Sequence, residues 1–245
     1  MVLNMKRNNI AEISGQDKLV EHKQRVAFHE AGHAAGIYLN NKLRQLPPVF
    51  FKIMFKDMSD VTDADIMAYE MTHDDCIARV EGGRLIECLP PSTDRWVDEL
   101  TGYDKAMEKL INDYKMAFDA DIINLLIGPL AEAKHVADSD DELFNHQLVN
   151  LRALKNYGGR SDLALANEYL DSYSANKEQK DNKLDELFNL AFDFVNNDEN
   201  WAAITQLAHY ILSNDKNIIG CEEVVSILDD SVERFKNRRR VVRNH

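Results

Sequence analysis

Cysteine is scarce in this chain. Cys76, Cys88 and Cys221 are the three among 245 residues, an odd number with no C-x-x-C pair. That excludes a disulfide framework and a cysteine metal site, and it points to a reducing compartment. Long apolar runs are missing as well. The opening "MVLNMKRNNIAEISGQDK" holds no stretch that could serve as a signal peptide, and nothing approaches the ~18 apolar residues of a membrane span. A cytoplasmic protein is expected. There is no internal repeat and no Gly/Ser-rich linker, so one domain is expected over residues 17–233. It would be preceded by a loose polar arm, 1–16, and followed by a basic tail, 234–245.

Positive charge is also in short supply. The net charge is −13, which repels nucleic acid and anionic lipid over most of the surface. The exception is the tail, where Arg234, Lys236, Arg238, Arg239, Arg240 and Arg243 occur without an acid. A charged terminus is usually solvated, so neither nucleic acid nor a membrane is the expected partner.

What the chain has is helical periodicity. A helix is expected from Asp17 to Asn41, apolar on most faces between Val26 and Leu39 and therefore buried. Pro47 and Pro48 end the pattern. "VFFKIMF" (49–55) reads as a strand, and "CIARV-EGGR-LIECL" reads as a hairpin turning on Gly82 and Gly83. A short helix fits Ala64–Glu70. Beyond Pro91 the pattern is helical: Tyr103–Val136 with a kink or split at Pro129, Asp140–Asn156, Asp162–Tyr173 capped by Ser161, Lys177–Asn196, Asn200–Leu212 and Cys221–Asn237. The fold class is mainly α, with a small antiparallel sheet near the N-terminal third.

One stretch of the first helix carries chemistry. Residues 29–33 read His-Glu-Ala-Gly-His. Positions four apart share a helix face, so His29 and His33 can offer imidazole nitrogens to one metal ion. Zinc suits such ligands and keeps an open position in catalytic sites. Glu30 is then placed to act as general base toward metal-activated water. Gly32, costly in mid-helix by ~1 kcal/mol, suggests the close approach of another backbone or of a substrate. The third ligand is not given by this helix. Gly36 matches the continuation H-x-x-G-x-x-H, but position 39 is Leu39. A later glutamate, or an aspartate at a helix start, remains open from the residues alone.

"VAFHEAGHAAGIYL" (26–39) resembles the zinc helix of the FtsH-like M41 family of metallopeptidases. "LLIGPLAEA" (125–133) resembles that family's "LLGGRAAEE" stretch, and "YGGRSDLALANEYL" (157–170) its "TGASNDLERATEIA" segment. Residues 201–228 are similar to its closing helices. The resemblance implies a helical zinc-peptidase domain with one zinc ion held by His29, His33 and Asp162, with Glu30 catalytic. It puts Glu132 near the metal, as a partner that orients a ligand or as a rival third ligand. It implies hydrolysis of peptides or unfolded polypeptides.

The chain departs from the family in two respects. It has no G-x-x-x-x-G-K-[ST] loop and no membrane span, so the family's AAA+ ATPase module is absent from this sequence, and residues 138–156 are extra. By itself such an enzyme would be ATP-independent, with a separate ATPase or unfoldase as a candidate partner. A homo-oligomer stays open, without the family's ring being carried over. The alternative is a silent binding or regulatory module that keeps the fold and metal. Substrate could align on an edge strand, with 49–55 and the 76–89 hairpin as candidates. His22, His73, His135, His146, His209 and His245 share no ligand spacing and are read as structural or exposed, and Trp201 as a core anchor.

Overall fold

A computed structural model describes residues 15–56, 77–90 and 105–243. The arm over 1–14, the helix expected at 64–70, His73, Cys76 and His245 lie outside the described residues.

The molecule is mainly helical with one small antiparallel sheet. Helix α1 (Gly15–Ala35) runs on through a wider π turn, Gly36–Asn40, and a last α turn, Asn41–Leu43. The helix thus begins before Asp17, and Gly15 belongs to it rather than to an arm. Burial all round the stretch from Val26 to Gly32 follows from its apolar faces. Against it lies α2 (Lys105–Ser139), the longest helix, which passes through Pro129 without being split. The crossing is close at Gly32. A Cβ there would stand 2.7 Å from the Ala131 Cβ and 2.9 Å from the Ile127 carbonyl oxygen, so glycine is required by the second helix.

The expected helix over 140–156 is absent. Asn145 Oδ1 accepts the N–H groups of Gln147 and Leu148, and Asn150 Oδ1 those of Arg152 and Ala153. These local bonds compete with a helical ladder and leave turns that end in a single 3-10 turn, Ala153–Asn156. Helix α3 (Arg160–Tyr173) starts one residue before Ser161, with Gly159 at its N-cap and no side-chain cap. Ser161 therefore does not cap it. Helices α4 (Lys177–Asn196) and α5 (Asp198–Leu212) are capped by Asn176 and Asn197, whose side chains accept backbone N–H groups. Helix α6 (Cys221–Arg243) absorbs the supposed basic tail. Lys236 and Arg239 reach Glu199 and Asp198 on α5.

The sheet has the order β2-β1-β3, with β1 (Phe51–Phe55) central, β2 (Ala78–Gly82) on one edge and β3 (Ile218–Gly220) on the other. Both pairings are antiparallel, Ile53 facing Val80 on one side and Ile219 on the other. The expected hairpin does not form. After Gly82 and Gly83, both at positive φ, the chain leaves the sheet. Leu85 and Ile86 donate their N–H groups to the buried Asp121 carboxylate on α2 instead of to a strand. Cys88 is exposed rather than facing a strand partner. Among the described residues no helix is long and apolar enough to cross a membrane.

The core joins α1 and α2 to α4, α5 and α6 through residues such as Leu126, Leu130, Leu187, Ile204 and Leu228, none of them exposed. His135 stacks on Phe28 at 3.9 Å and His146 on Phe192 at 3.8 Å, as structural histidines do. Trp201 packs beside Phe28 and lies under the Lys134 ammonium.

Candidate metal centre and cleft

Helices α1 and α3 bring His29, His33 and Asp162 together, although 129 residues separate His33 from Asp162 in sequence. Both histidines project from one face of α1, and Asp162 comes from the first turn of α3. The His29 and His33 Nε2 atoms are 3.0 Å apart. Asp162 Oδ2 lies 3.4 Å from His29 Nε2, and Oδ1 lies 3.3 Å from His33 Nε2. Tetrahedral zinc bonds of about 2.0–2.1 Å set neighbouring donor atoms about 3.3 Å apart, so the triangle has the size of three zinc ligands.

The far side of each ring decides its tautomer. His33 Nδ1 lies 2.9 Å from the Asn124 carbonyl oxygen, which can only accept, so Nδ1 carries a proton. His29 Nδ1 faces Glu132 Oε2 at 3.1 Å and likewise donates. A neutral imidazole then has its lone pair on Nε2. Two such lone pairs point at each other, with a buried carboxylate beside them. Asp162 Oδ2 is buried and faces the His29 ring at 3.4 Å, longer than a close hydrogen bond. That is a poor arrangement for three acceptors alone and a good one around a cation. The donor set, two imidazoles and one carboxylate, suits zinc.

The titration behaviour agrees. Burial by itself would push His29 down, but the bonds to Asp162 and Glu132 outweigh it and hold the group well above 6.5. His33 is also raised, burial being overcome by the Asp162 charge. Burial would raise Asp162, yet the His33 charge and the bonds to both rings keep it far below the usual carboxylate range. The pocket favours positive charge, whether carried as protons or as a metal ion.

Glu132 is not grouped with His29, His33 and Asp162. It sits behind His29, fully buried, and its other oxygen pairs with Arg25 at 2.8 Å. Burial opposes its ionisation, and His29 and Arg25 together bring it below the ordinary glutamate value. Arg25 also donates to the Asn156 carbonyl, which ties the end of the 140–156 segment to the His29–Glu132 pair. Sequence reasoning did not single out Arg25, Asn124 or Gly128. Asn124 acts through its backbone, and its amide is fixed by Asn40 and Asn41 from the π and final turns after α1. Gly128 makes room for a ring: a Cβ there would lie 2.3 Å from His33 Nε2.

Glu30, His33 and Asp162 line one cleft together with Val80, Gly82, Gly83 and Arg84. Glu30 is itself buried, at 4% exposure. No protein-family model matches the chain, nor does any curated protein or solved structure.

The opposite wall is β2. Gly83 N donates to Phe50 O and Lys56 N to Ile77 O, so residues 77, 79, 81 and 83 face β1 with their backbone groups. Ala78, Val80 and Gly82 consequently turn theirs outward, along the edge that borders the cleft. Strand β1 is paired on both sides, which excludes 49–55 as the open edge. Asp121 fixes the turn after β2. It accepts from Leu85, Ile86 and the Tyr169 hydroxyl.

Proposed function

We propose that this protein is a zinc-dependent metallopeptidase of the FtsH-like kind, acting on peptides or unfolded polypeptides without ATP of its own, in the cytoplasm. The observation that carries the reading is the pair of Nε2 atoms at 3.0 Å, each ring pinned by a donating Nδ1, beside the Asp162 carboxylate. A zinc ion held by these three groups would acidify water and polarise a peptide carbonyl. Glu30, next to His29 in sequence and on the cleft wall, accepts the proton at its carboxylate and passes it on to the leaving amine. Glu132 and the Asn124 carbonyl hold the two rings in orientation and tautomer, and the Arg25 guanidinium keeps Glu132 ionised. The outward backbone groups of Val80 and Gly82 pair with an extended peptide and lay it across the cleft. A narrow cleft and an edge strand suit an unfolded chain, which fits a separate unfoldase as partner for folded targets.

The test is metal content together with cleavage of an unfolded casein-type substrate and short peptides, with and without chelator. Stoichiometric zinc and cleavage that chelator abolishes support the reading. Stoichiometric zinc without cleavage of any substrate supports the silent binding module instead, and absence of zinc binding removes both.

A further inference from the structure

Among the described residues two arginines border the cleft without an acidic partner. Arg79 on β2 and Arg84 in the turn after it line the same cleft as Glu30, His33 and Asp162. Other basic groups nearby are engaged: Lys52 with Glu81 at 3.1 Å, Arg25 with Glu132, and Lys183 with Asp119. Among the described residues neither Arg79 nor Arg84 forms an ion pair, in a chain with 42 acids against 29 lysines and arginines. Glu87 shares the outer groove with them and closes no ion pair either. Of the three acids on the cleft wall, Asp162 lies against the histidines, Asp121 accepts from Leu85, Ile86 and Tyr169, and Glu30 is the buried carboxylate beside His29. Burial pushes the Asp121 carboxyl and the Tyr169 hydroxyl up, and in both the Arg84 charge works against it, which places that guanidinium within electrostatic reach of the cleft interior.

We propose that Arg79 and Arg84 form a carboxylate-binding subsite that makes the cleft select acidic peptides, by an acidic side chain or by a free C-terminal carboxylate next to the scissile bond. This rests on the peptidase reading above. A guanidinium offers a planar fork of donors matched to a carboxylate, and such bonds are about twice as strong as neutral ones. The net charge of −13 disfavours anionic peptides at a distance. The two guanidinium groups reverse the sign locally, beside the edge on which a peptide would lie. Arg79 lies within β2 and Arg84 where the chain has left the sheet, and both line the cleft along which a peptide would lie.

The test uses the full-length zinc-loaded protein and acetylated, C-amidated peptides that carry Glu, Gln or Lys in turn at each position around the cleavage site. The same peptides with a free C-terminus form a second arm. The Glu peptide is expected to exceed its Gln twin in kcat/KM by about two- to fivefold at one position, the range for an exposed charged contact. R84M and R79M each bring the ratio toward one, and R84E turns the preference toward Lys. A preference confined to the free C-terminus assigns the carboxylate to the chain end; a preference in the amidated set assigns it to a side chain. Peptide binding to the E30Q protein, read by fluorescence anisotropy, does not need turnover. An acidic preference in binding that R84M removes supports the subsite even if nothing is cut, in which case only the peptidase reading falls. Equal binding and cleavage of Glu and Gln peptides in both arms overturns the subsite, as does a preference that survives in the double variant R79M/R84M.

Discussion

His29, Glu30 and Asp162 stand on helices whose flanks are buried, whereas Arg79, Glu81, Gly82 and Arg84 stand exposed on an edge strand and the turn after it. The helical wall is overdetermined. Each histidine is held at Nδ1, by Glu132 or by the Asn124 carbonyl, and Gly32 and Gly128 let two helices close to contact distance. Among the described residues the sheet wall is held on one side only, by β1 and by Asp121. Rigid placement belongs to the groups that would do chemistry, and open backbone to the side that would meet a partner of varied sequence. The difference follows from physics: ligand geometry tolerates little error, while strand pairing is indifferent to side chains.

If that division is right, substitutions on the helical wall abolish chemistry or metal, and those on the sheet wall weaken substrate. The largest effect is expected from E30Q, which keeps zinc but lowers kcat by about 10²–10⁴-fold or more, the range for a lost general base. Activity of the variant equal to the parent would remove Glu30 from its role. D162A is expected to lose zinc in metal analysis, and an unchanged content would return the third-ligand role to another acid such as Glu132. G128A drives a methyl group against His33 and should cost zinc in the same measurement, although no ligand is altered. E132Q keeps the shape behind His29 but not the charge. A loss of about 10–100-fold in zinc affinity is expected, as for other groups that orient a ligand. V80P removes one outward N–H from β2 without touching the ladder to β1, an edge position that tolerates proline. It should raise KM with zinc content intact, whereas a fall in kcat alone would break the comparison. At the small end, D198N on the exposed Arg239 pair should shift stability by less than ~1 kcal/mol.

Proton linkage gives a further check on the helical wall. His29 and His33 are raised above 6.5 in the metal-free fold, so the stability they lend is complete below that value and lost as pH rises through their folded pKa values. Asp162 and Glu132 are lowered from 3.8 and 4.5, so their contribution is present above those values and lost in acid. Metal-free protein should therefore be most stable in the window between and weaken toward alkaline pH. Zinc displaces the same protons, so the zinc-loaded protein should gain on the metal-free one as pH rises from about 5 to 9 in thermal unfolding. Parallel curves for the two forms would separate the metal from these histidines.

The helices were legible where they were long and cleanly capped. Lys177–Asn196 could be read to the residue, since Asn176 and Asn197 mark both ends. His29, Glu30 and His33 came from spacing alone, because a helix turns four residues into one face. Asp162 came only with a family resemblance, since helix geometry says nothing about a partner 129 positions further on. The 140–156 segment misled because its apolar spacing is helical while Asn145 and Asn150 divert the backbone. The false hairpin had the same origin: the glycine turn was real, but a buried aspartate took the donors that a second strand would have used. Three-residue β3 is too short to carry a period.

The Asn124 carbonyl that orients His33 is a main-chain atom. No side-chain replacement deletes it, so the two imidazoles will look unequal to genetics. An alanine scan can expose the support of His29, by trimming Glu132 or Arg25, but will pass silently over that of His33. The second ring is vulnerable from the other direction, where atoms are added. Gly128 is the position at which gain of a methyl group, rather than loss of one, should report on it.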